Sequence, residues 1–198
     1  MAASLDTVRT ALRRAPLRLK GFAYSGFRRD RWQQPERVIA ALGIREGDRA
    51  ADLGAGAGYF TFHLAGAVGP QGVVYAVDTD AGMSSLIAEK AARSGVRNVV
   101  LVAATPDDPA LPEPVDLVLM VNAFHHLPEP RTYLSTLARY VRPGGRVAII
   151  EALPKWSRFG HATTPEDIAD AMGRAGFAGP ERPGTLHRQS FQMFQRTA

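Results

Sequence analysis

The stretch Ala51 to Phe60 sets an acid two positions ahead of three alternate glycines: Asp52, then Gly54, Gly56 and Gly58. It lies between a short apolar run and an amphipathic segment, the pattern of a strand turning sharply into a helix. Glycine adopts backbone angles closed to other residues and lets a ligand approach the chain. Open α/β sheets bind nucleotides at such strand ends. A dinucleotide fingerprint needs G-x-G-x-x-G, but the third position falls on Tyr59 when counted from Gly54 and on Thr61 when counted from Gly56. No Lys follows the glycines, so a P-loop is excluded as well. Taken alone, the spacing leaves open an ordinary glycine-rich turn. A second cluster, Asn122-Ala123-Phe124-His125-His126-Leu127, carries imidazoles able to move protons near neutral pH. It equally describes two histidines that pack and bond loop backbone. His125, His126 and distant His161 lack a carboxylate at a recognised ligand spacing, so no metal site is expected. His63 and His187 read as surface or packing residues.

These groups must be positioned by a folded domain. A chain of 198 residues is long enough for one α/β domain with a sizeable core. Its 45% apolar and 22% charged residues are ordinary for a globular protein. The absence of cysteine excludes disulfides, thiolate metal sites and Cys nucleophiles. No apolar run approaches the roughly 20 residues that span a bilayer, and nothing resembles a secretory signal, so a cytoplasmic location is expected. The net charge of +5 is uneven: residues 1–37 hold nine Lys/Arg against three acids, and the remainder carries −1. This basic arm suits an anionic membrane surface, RNA, or a cover for the active site. A solvated helix or loose arm accounts for it equally.

Alternating apolar runs and helical patterns predict a doubly wound, mostly parallel sheet. A short helix starts at Gln34-Pro35-Glu36 and ends near Gly43. Strand one is 49–53, and a crossover helix follows from Tyr59 to about Ala67. Strand two is Val73–Val77, and Asp80 caps a helix ending near Gly95. Strand three is Val99–Val102, strand four Val115–Val121, and a helix runs from Pro130 to about Tyr140. Arg142-Pro143-Gly144-Gly145 reads as a turn before a fifth strand over 146–150. Thr164-Pro165-Glu166-Asp167 opens a helix that Gly176 ends, and the tail from Thr185 to Gln195 adds one or two edge strands.

The Asp52–Gly58 turn resembles motif I, [DE]-x-G-x-G-x-G, of the class I S-adenosylmethionine (SAM)-dependent methyltransferases. The resemblance runs from about Trp32 to the C-terminus. Trp32-Gln33-Gln34-Pro35-Glu36-Arg37 is similar to the lead-in of a bacterial methyltransferase-domain group whose members also carry Gly-Tyr-Phe-Thr after motif I, and Val141 to Arg146 is similar to its [LV]-[RK]-P-G-G turn. The resemblance implies a single Rossmann-like, seven-stranded domain over 32–198 with a basic, helical N-terminal extension over 1–31. It implies SAM as cofactor and S-adenosylhomocysteine as product. Asp52, Gly54, Gly56, Gly58 and Tyr59 would form the cofactor turn, and Asp78 would hold the ribose hydroxyls. Asn122 would line the methionine part. Thr105 stands where many relatives carry an adenine-binding Asp, a departure that leaves adenine recognition open. His125 or His126 would orient the acceptor or remove its proton, and Glu151 faces the same rim. Segments 1–40 and 155–163 would form a lid. The acceptor reads as a small molecule or lipid-type metabolite. RNA or protein held by the basic arm, and a non-catalytic SAM-binding module, are the alternatives.

Overall fold

Strand β1 (Arg49–Leu53) is almost wholly buried, and its neighbours are apolar for the same reason: a parallel strand covered on both faces has no side open to water. The computed structural model describes residues 29–156, 163–184 and 186–197. The chain runs through α1 (Arg29–Gln33), α2 (Pro35–Leu42), β1, α3 (Tyr59–Val68), β2 (Val73–Asp78), α4 (Ala81–Ser94), β3 (Val99–Ala103) and β4 (Val115–Val121). It continues through α5 (Pro130–Leu137), β5 (Val141–Ala152), α6 (Pro165–Arg174), β6 (Phe177–Glu181) and β7 (Gln189–Arg196). Among the described residues these strands form one seven-stranded sheet in the order β3-β2-β1-β4-β5-β7-β6. β1 to β5 are parallel, β7 runs antiparallel to β5, and β6 antiparallel to β7.

The period-two alternation sends side chains of one strand to two cores. Ala51, Leu53, Val118, Met120, Val147 and Ile149 pack with α5 and α6 through Leu134, Leu137, Ile168 and Met172. Ala50, Leu117, Leu119, Ala148 and Ile150 face Val38 and Leu42 of α2 and Phe60, Leu64 and Val68 of α3. The helix ends carry the expected chemistry. Asp80 accepts from Gly82 N at 2.8 Å, and Thr164 accepts from Asp167 N at 3.1 Å. Each such cap is worth about 1 kcal/mol. Because the chain lays β2 and β3 on one side of β1 and β4 on the other, β1 and β4 flank the switch in strand order. The crevice outside their C-terminal ends is where open sheets bind ligands.

Three local expectations are corrected. The Arg142–Gly145 segment is not a turn ahead of β5 but lies within it. Val141 pairs with Val115 and Arg146 with Leu117, so Pro143, Gly144 and Gly145 bulge out of a continuous strand. Proline has no ladder donor and Gly144 takes φ +75°, which together favour a bulge over a regular pair. The tail does not lie at the edge: β7 is inserted between β5 and β6, and the edge strand β6 precedes the tail. The pattern of strand 189–196 could not show which edge it would take, since a strand buried on both faces is continuous with β5. The helix from Pro130 ends at Leu137, and a 3-10 turn completes it over Ala138–Tyr140. The basic arm over 1–28 and the lid segment over 157–162 lie outside the described residues. Helix α1 crosses the expected boundary at residue 31.

Candidate active site

The motif I turn takes left-handed angles at all three glycines: φ +73° at Gly54, +54° at Gly56 and +79° at Gly58. Two of them are also closely packed. A Cβ on Gly54 would stand 2.6 Å from the Ala123 Cβ, and one on Gly58 would stand 2.9 Å from Ile87 and Phe62. Gly56 differs, since a Cβ there would meet nothing within 4 Å. The first and third glycines therefore serve packing, and the middle one faces open space. The close approach of Gly54 to Ala123 also brings the turn after β1 against the loop after β4. Gly54→Val is expected to push this loop away and to force a β-branched residue into a left-handed conformation. Calorimetric titration should then show cofactor affinity lower by tenfold to about a hundredfold, the equivalent of about 1.4–2.8 kcal/mol.

Asp52 is 3% exposed and points to the α3 face, where the Thr61 hydroxyl donates to its Oδ2 at 2.6 Å. Burial pushes its carboxyl up to about 6; the Thr61 hydrogen bond and the charge of Arg29 pull it partly back, while Asp78 adds repulsion. Arg29 lies over the Tyr59 ring, 4.1 Å from its centroid, and the Tyr59 hydroxyl donates to Asp30. Helix α1 thus sits on the first turn of α3, directly beside motif I. Asp78 ends β2 with both oxygens engaged: Oδ2 accepts from Gly56 N at 2.8 Å and Oδ1 from Asp80 N at 2.9 Å. It ties the second motif I glycine to the next strand end. Thr105, two residues past β3, is exposed, and its hydroxyl accepts from Asp108 N at 3.0 Å. The structure therefore uses Thr105 to shape its own loop.

The loop after β4 is held from three directions. Asn122 takes φ +51°, a conformation that asparagine tolerates better than most residues. Its N–H donates to Ile150 O at 2.8 Å, and its Oδ1 accepts from Gln189 Nε2 at 2.9 Å. Gln189 Oε1 in turn accepts from Gln33 Nε2 at 3.4 Å, and Gln33 Oε1 accepts from Arg29. Both glutamines are buried. This relay of amides joins α1, the start of β7 and the loop after β4. Sequence reasoning assigned no role to Gln189 and read Gln33 only as part of a resemblance, because an isolated Gln carries no periodic signal. Gln189→Leu strips partners from the buried amide of Gln33 and the half-buried amide of Asn122, a buried group being worth roughly 1–3 kcal/mol when left unmet. The urea midpoint is expected to fall by the equivalent of about 2 kcal/mol or more, with an unchanged slope.

The third hold is chemical. Glu151, 2% exposed at the end of β5, accepts from Phe124 N at 2.7 Å through Oε1 and lies 2.8 Å from His125 Nδ1 through Oε2. A carboxylate oxygen is an acceptor, so Nδ1 carries the hydrogen and Nε2 is left with its lone pair. The His125 side chain is 23% exposed, so this second nitrogen is within reach of solvent. The His126 ring lies 4.0 Å from that of His125, tilted by 46°, and is the more exposed of the two. His63 packs instead against Tyr59, 5.4 Å away, far from this dyad in the chain.

The seven-stranded fold and the segment that carries the glycine turn have counterparts in known proteins. A methyltransferase-domain family model matches residues 51–147. A SAM-dependent methyltransferase from Aquifex aeolicus superposes with a TM-score of 0.82, at 25% identity, over 92% of this chain and 99% of that one. In sequence and fold the chain is similar to the class I SAM-dependent methyltransferases. Among curated relatives, the demethylmenaquinone methyltransferase of Anoxybacillus flavithermus is 31% identical over 58% of this chain and 48% of its own length. The arsenite methyltransferase of Halobacterium salinarum is 34% identical over 65% of this chain and 32% of its own. The chain spans about half the length of the demethylmenaquinone methyltransferases that it matches. SAM is the cofactor of this family, and the residues present suit it. Its methionine part carries an ammonium, and Asp52 offers a buried carboxylate held at a net cost. The open side of Gly56 leaves room for a close backbone approach. Among the described residues, no helix is long and apolar enough to cross a membrane.

Proposed function

We propose that this chain transfers a methyl group from SAM to a small-molecule acceptor, with His125 as general base and Glu151 as the group that orients it. The observation that carries this reading is the juxtaposition of the motif I turn with the His125–Glu151 pair: Gly54 abuts Ala123, and two residues on from Ala123 the imidazole is fixed by a buried carboxylate. When bound, SAM supplies an electrophilic methyl carbon on a sulfonium. The chain has four tasks: to bind, to align, to exclude water and to hold a proton. Asp52 and the open side of the motif I turn at Gly56 bind. Asn122, fixed by Gln189, and the loop that it begins set the wall between cofactor and acceptor. His125 Nε2 accepts the proton of the attacking group, while Glu151 keeps the imidazole in the tautomer that can accept it. Alignment of nucleophile and methyl carbon carries much of the rate, and a base of this kind adds most where the acceptor atom bears a proton of low acidity, as a hydroxyl does. The small-molecule class is supported by relatives named demethylmenaquinone methyltransferase and ubiquinone/menaquinone biosynthesis C-methyltransferase.

Two steps test the reading. Calorimetric titration with SAM, with NADH as control, should give micromolar binding for SAM alone. Transfer of radiolabelled methyl from SAM should then be measured against a panel of hydroxylated small molecules and against total RNA. Incorporation into a small molecule, insensitive to salt, is the expected result. Incorporation into RNA alone, with steep salt dependence, would overturn the small-molecule reading. No SAM binding by the folded chain would overturn the whole of it.

A further inference from the structure

We propose that Trp156, His187 and Arg188 form an acceptor platform at the mouth of this site, and that the acceptor is a planar aromatic ring bearing an anionic group; the inference rests on the methyl-transfer reading above. The three side chains reach one place from two segments. β5 and β7 pair to their ends, Ala152 opposite Gln189, and Leu153 N donates to Arg188 O at 3.0 Å beyond the last pair. A bridge between Leu186 and Gln189 makes His187 and Arg188 the two tip residues of a tight turn. On the other segment a 3-10 turn over Pro154–Trp156, closed by Trp156 N donating to Leu153 O at 2.8 Å, brings Trp156 back to that tip. The Arg188 guanidinium stands 4.8 Å from the Trp156 ring centroid, and the His187 ring lies 5.8 Å away, tilted by 42°.

The position of this cluster joins it to the chemistry. Gln189, next to Arg188, holds Asn122, and Glu151, five residues before Trp156, holds His125. The platform and the base are therefore carried by the same ends of β5 and β7. Trp156 remains 42% exposed, and of the other large apolar residues with comparable exposure among those described, Val100 and Leu101, both lie on the far edge strand β3. An indole kept in water at the rim of a site offers its surface to a second ring, and an offset stack of two rings is worth roughly 0.5–1.5 kcal/mol beyond the area it buries. A guanidinium over an aromatic ring keeps its N–H donors at the edge, where a carboxylate or phenolate meets them in a bidentate fork. Lys155 and His187 are the chain neighbours of Trp156 and Arg188 and carry further donors, and none of residues 153–156 and 186–189 is acidic.

The test uses the full chain with saturating S-adenosylhomocysteine and three probes: 6-hydroxy-2-naphthoate, neutral 2-naphthol and saturated 4-hydroxycyclohexanecarboxylate. Calorimetry should show the planar anion binding at least tenfold more tightly than either control. Trp156→Leu should weaken it at least tenfold. Arg188→Gln should abolish the preference for the carboxylate while leaving 2-naphthol within threefold. Thermal midpoints and S-adenosylhomocysteine affinity should match the wild type in both variants, which separates lost contacts from lost folding. Equal binding of all three probes, or wild-type binding by either variant, would overturn the platform. Binding of the naphthoate by a chain that takes no S-adenosylhomocysteine would instead sink the methyl-transfer reading and leave the platform standing.

Discussion

Replacing Glu151 with Gln is expected to lower kcat by about 10²–10⁴, as much as replacing His125 with Ala, although Glu151 acts through His125. The reason is tautomeric. In the native dyad the carboxylate can only accept, so the imidazole hydrogen resides on Nδ1 and Nε2 is free to take a proton. In the Gln variant the amide oxygen still accepts from Phe124 N, as Glu151 does at 2.7 Å, which turns the amide NH₂ toward His125. Nδ1 must then accept, the hydrogen moves to Nε2, and the base becomes a donor. General-base catalysis contributes typically 10²–10⁴ in rate, about 3–5 kcal/mol of the barrier. SAM affinity should stay within twofold, since neither residue belongs to the motif I turn. Single-turnover rates beside equilibrium titration separate the two quantities. If both variants keep kcat within threefold of the wild type on an acceptor with a hydroxyl, the dyad is a packing device. His126→Ala, by comparison, should change kcat by less than tenfold, because Glu151 fixes only the His125 ring.

Asp52→Asn is expected to make the ligand-free protein more stable and the cofactor bind more weakly. Burial raises the Asp52 carboxyl from 3.8 to about 6, so the folded state holds its proton more tightly than the unfolded chain does. The stability tied to that proton is fully present below pH 3.8 and is lost as pH rises through about 6. At pH 7 the ionised carboxylate therefore costs the native state up to about 3 kcal/mol. An amide in its place can still accept from Thr61 and carries no such cost, so the thermal midpoint at pH 7 should rise and the stability slope between pH 3.8 and 6 should flatten. A bound cation reverses the balance. SAM affinity in the wild type should be greatest near pH 7 and fall by up to tenfold per pH unit below 6, as protonation removes the carboxylate. Calorimetry in buffers of different ionisation enthalpy should report proton release on binding near pH 6. The Asn variant should bind at least tenfold more weakly at pH 7, without proton release. A variant that is less stable than the wild type and binds SAM as well would remove Asp52 from the cofactor site.

The two residues differ in how far the chain announced them. Asp52 was legible because its role depends on neighbours two to six positions away, and the spacing of Gly54, Gly56 and Gly58 requires backbone angles that the structure does adopt. His125 was legible as a candidate but not as a member of a dyad, since its partner lies 26 residues on, at the end of the next strand. Glu151 appeared only as an acid after an apolar run. Asp78 was read by the chemistry of hydroxyl recognition, while the structure shows it holding the amides of Gly56 and Asp80. Thr105 stands at the expected place in the chain, and a local turn with Asp108 engages its hydroxyl.

By itself the sequence determined the order and type of nearly every element from α2 to α6 and the position of the glycine turn after β1. All of these follow from local periods, caps and glycines, where neighbours in the chain are neighbours in space. Tertiary structure alone decided the insertion of β7 between β5 and β6, the bulge at Pro143–Gly145, the Gln33–Gln189–Asn122 relay and the meeting of Trp156 with Arg188. Gln33 and Gln189 stand 156 residues apart, and Gln189 and Asn122 stand 67 apart. Such contacts form because the packed sheet brings distant segments together, and an amide buried there costs roughly 1–3 kcal/mol unless it finds a partner, a condition set by the whole folded chain that leaves no mark at either position alone.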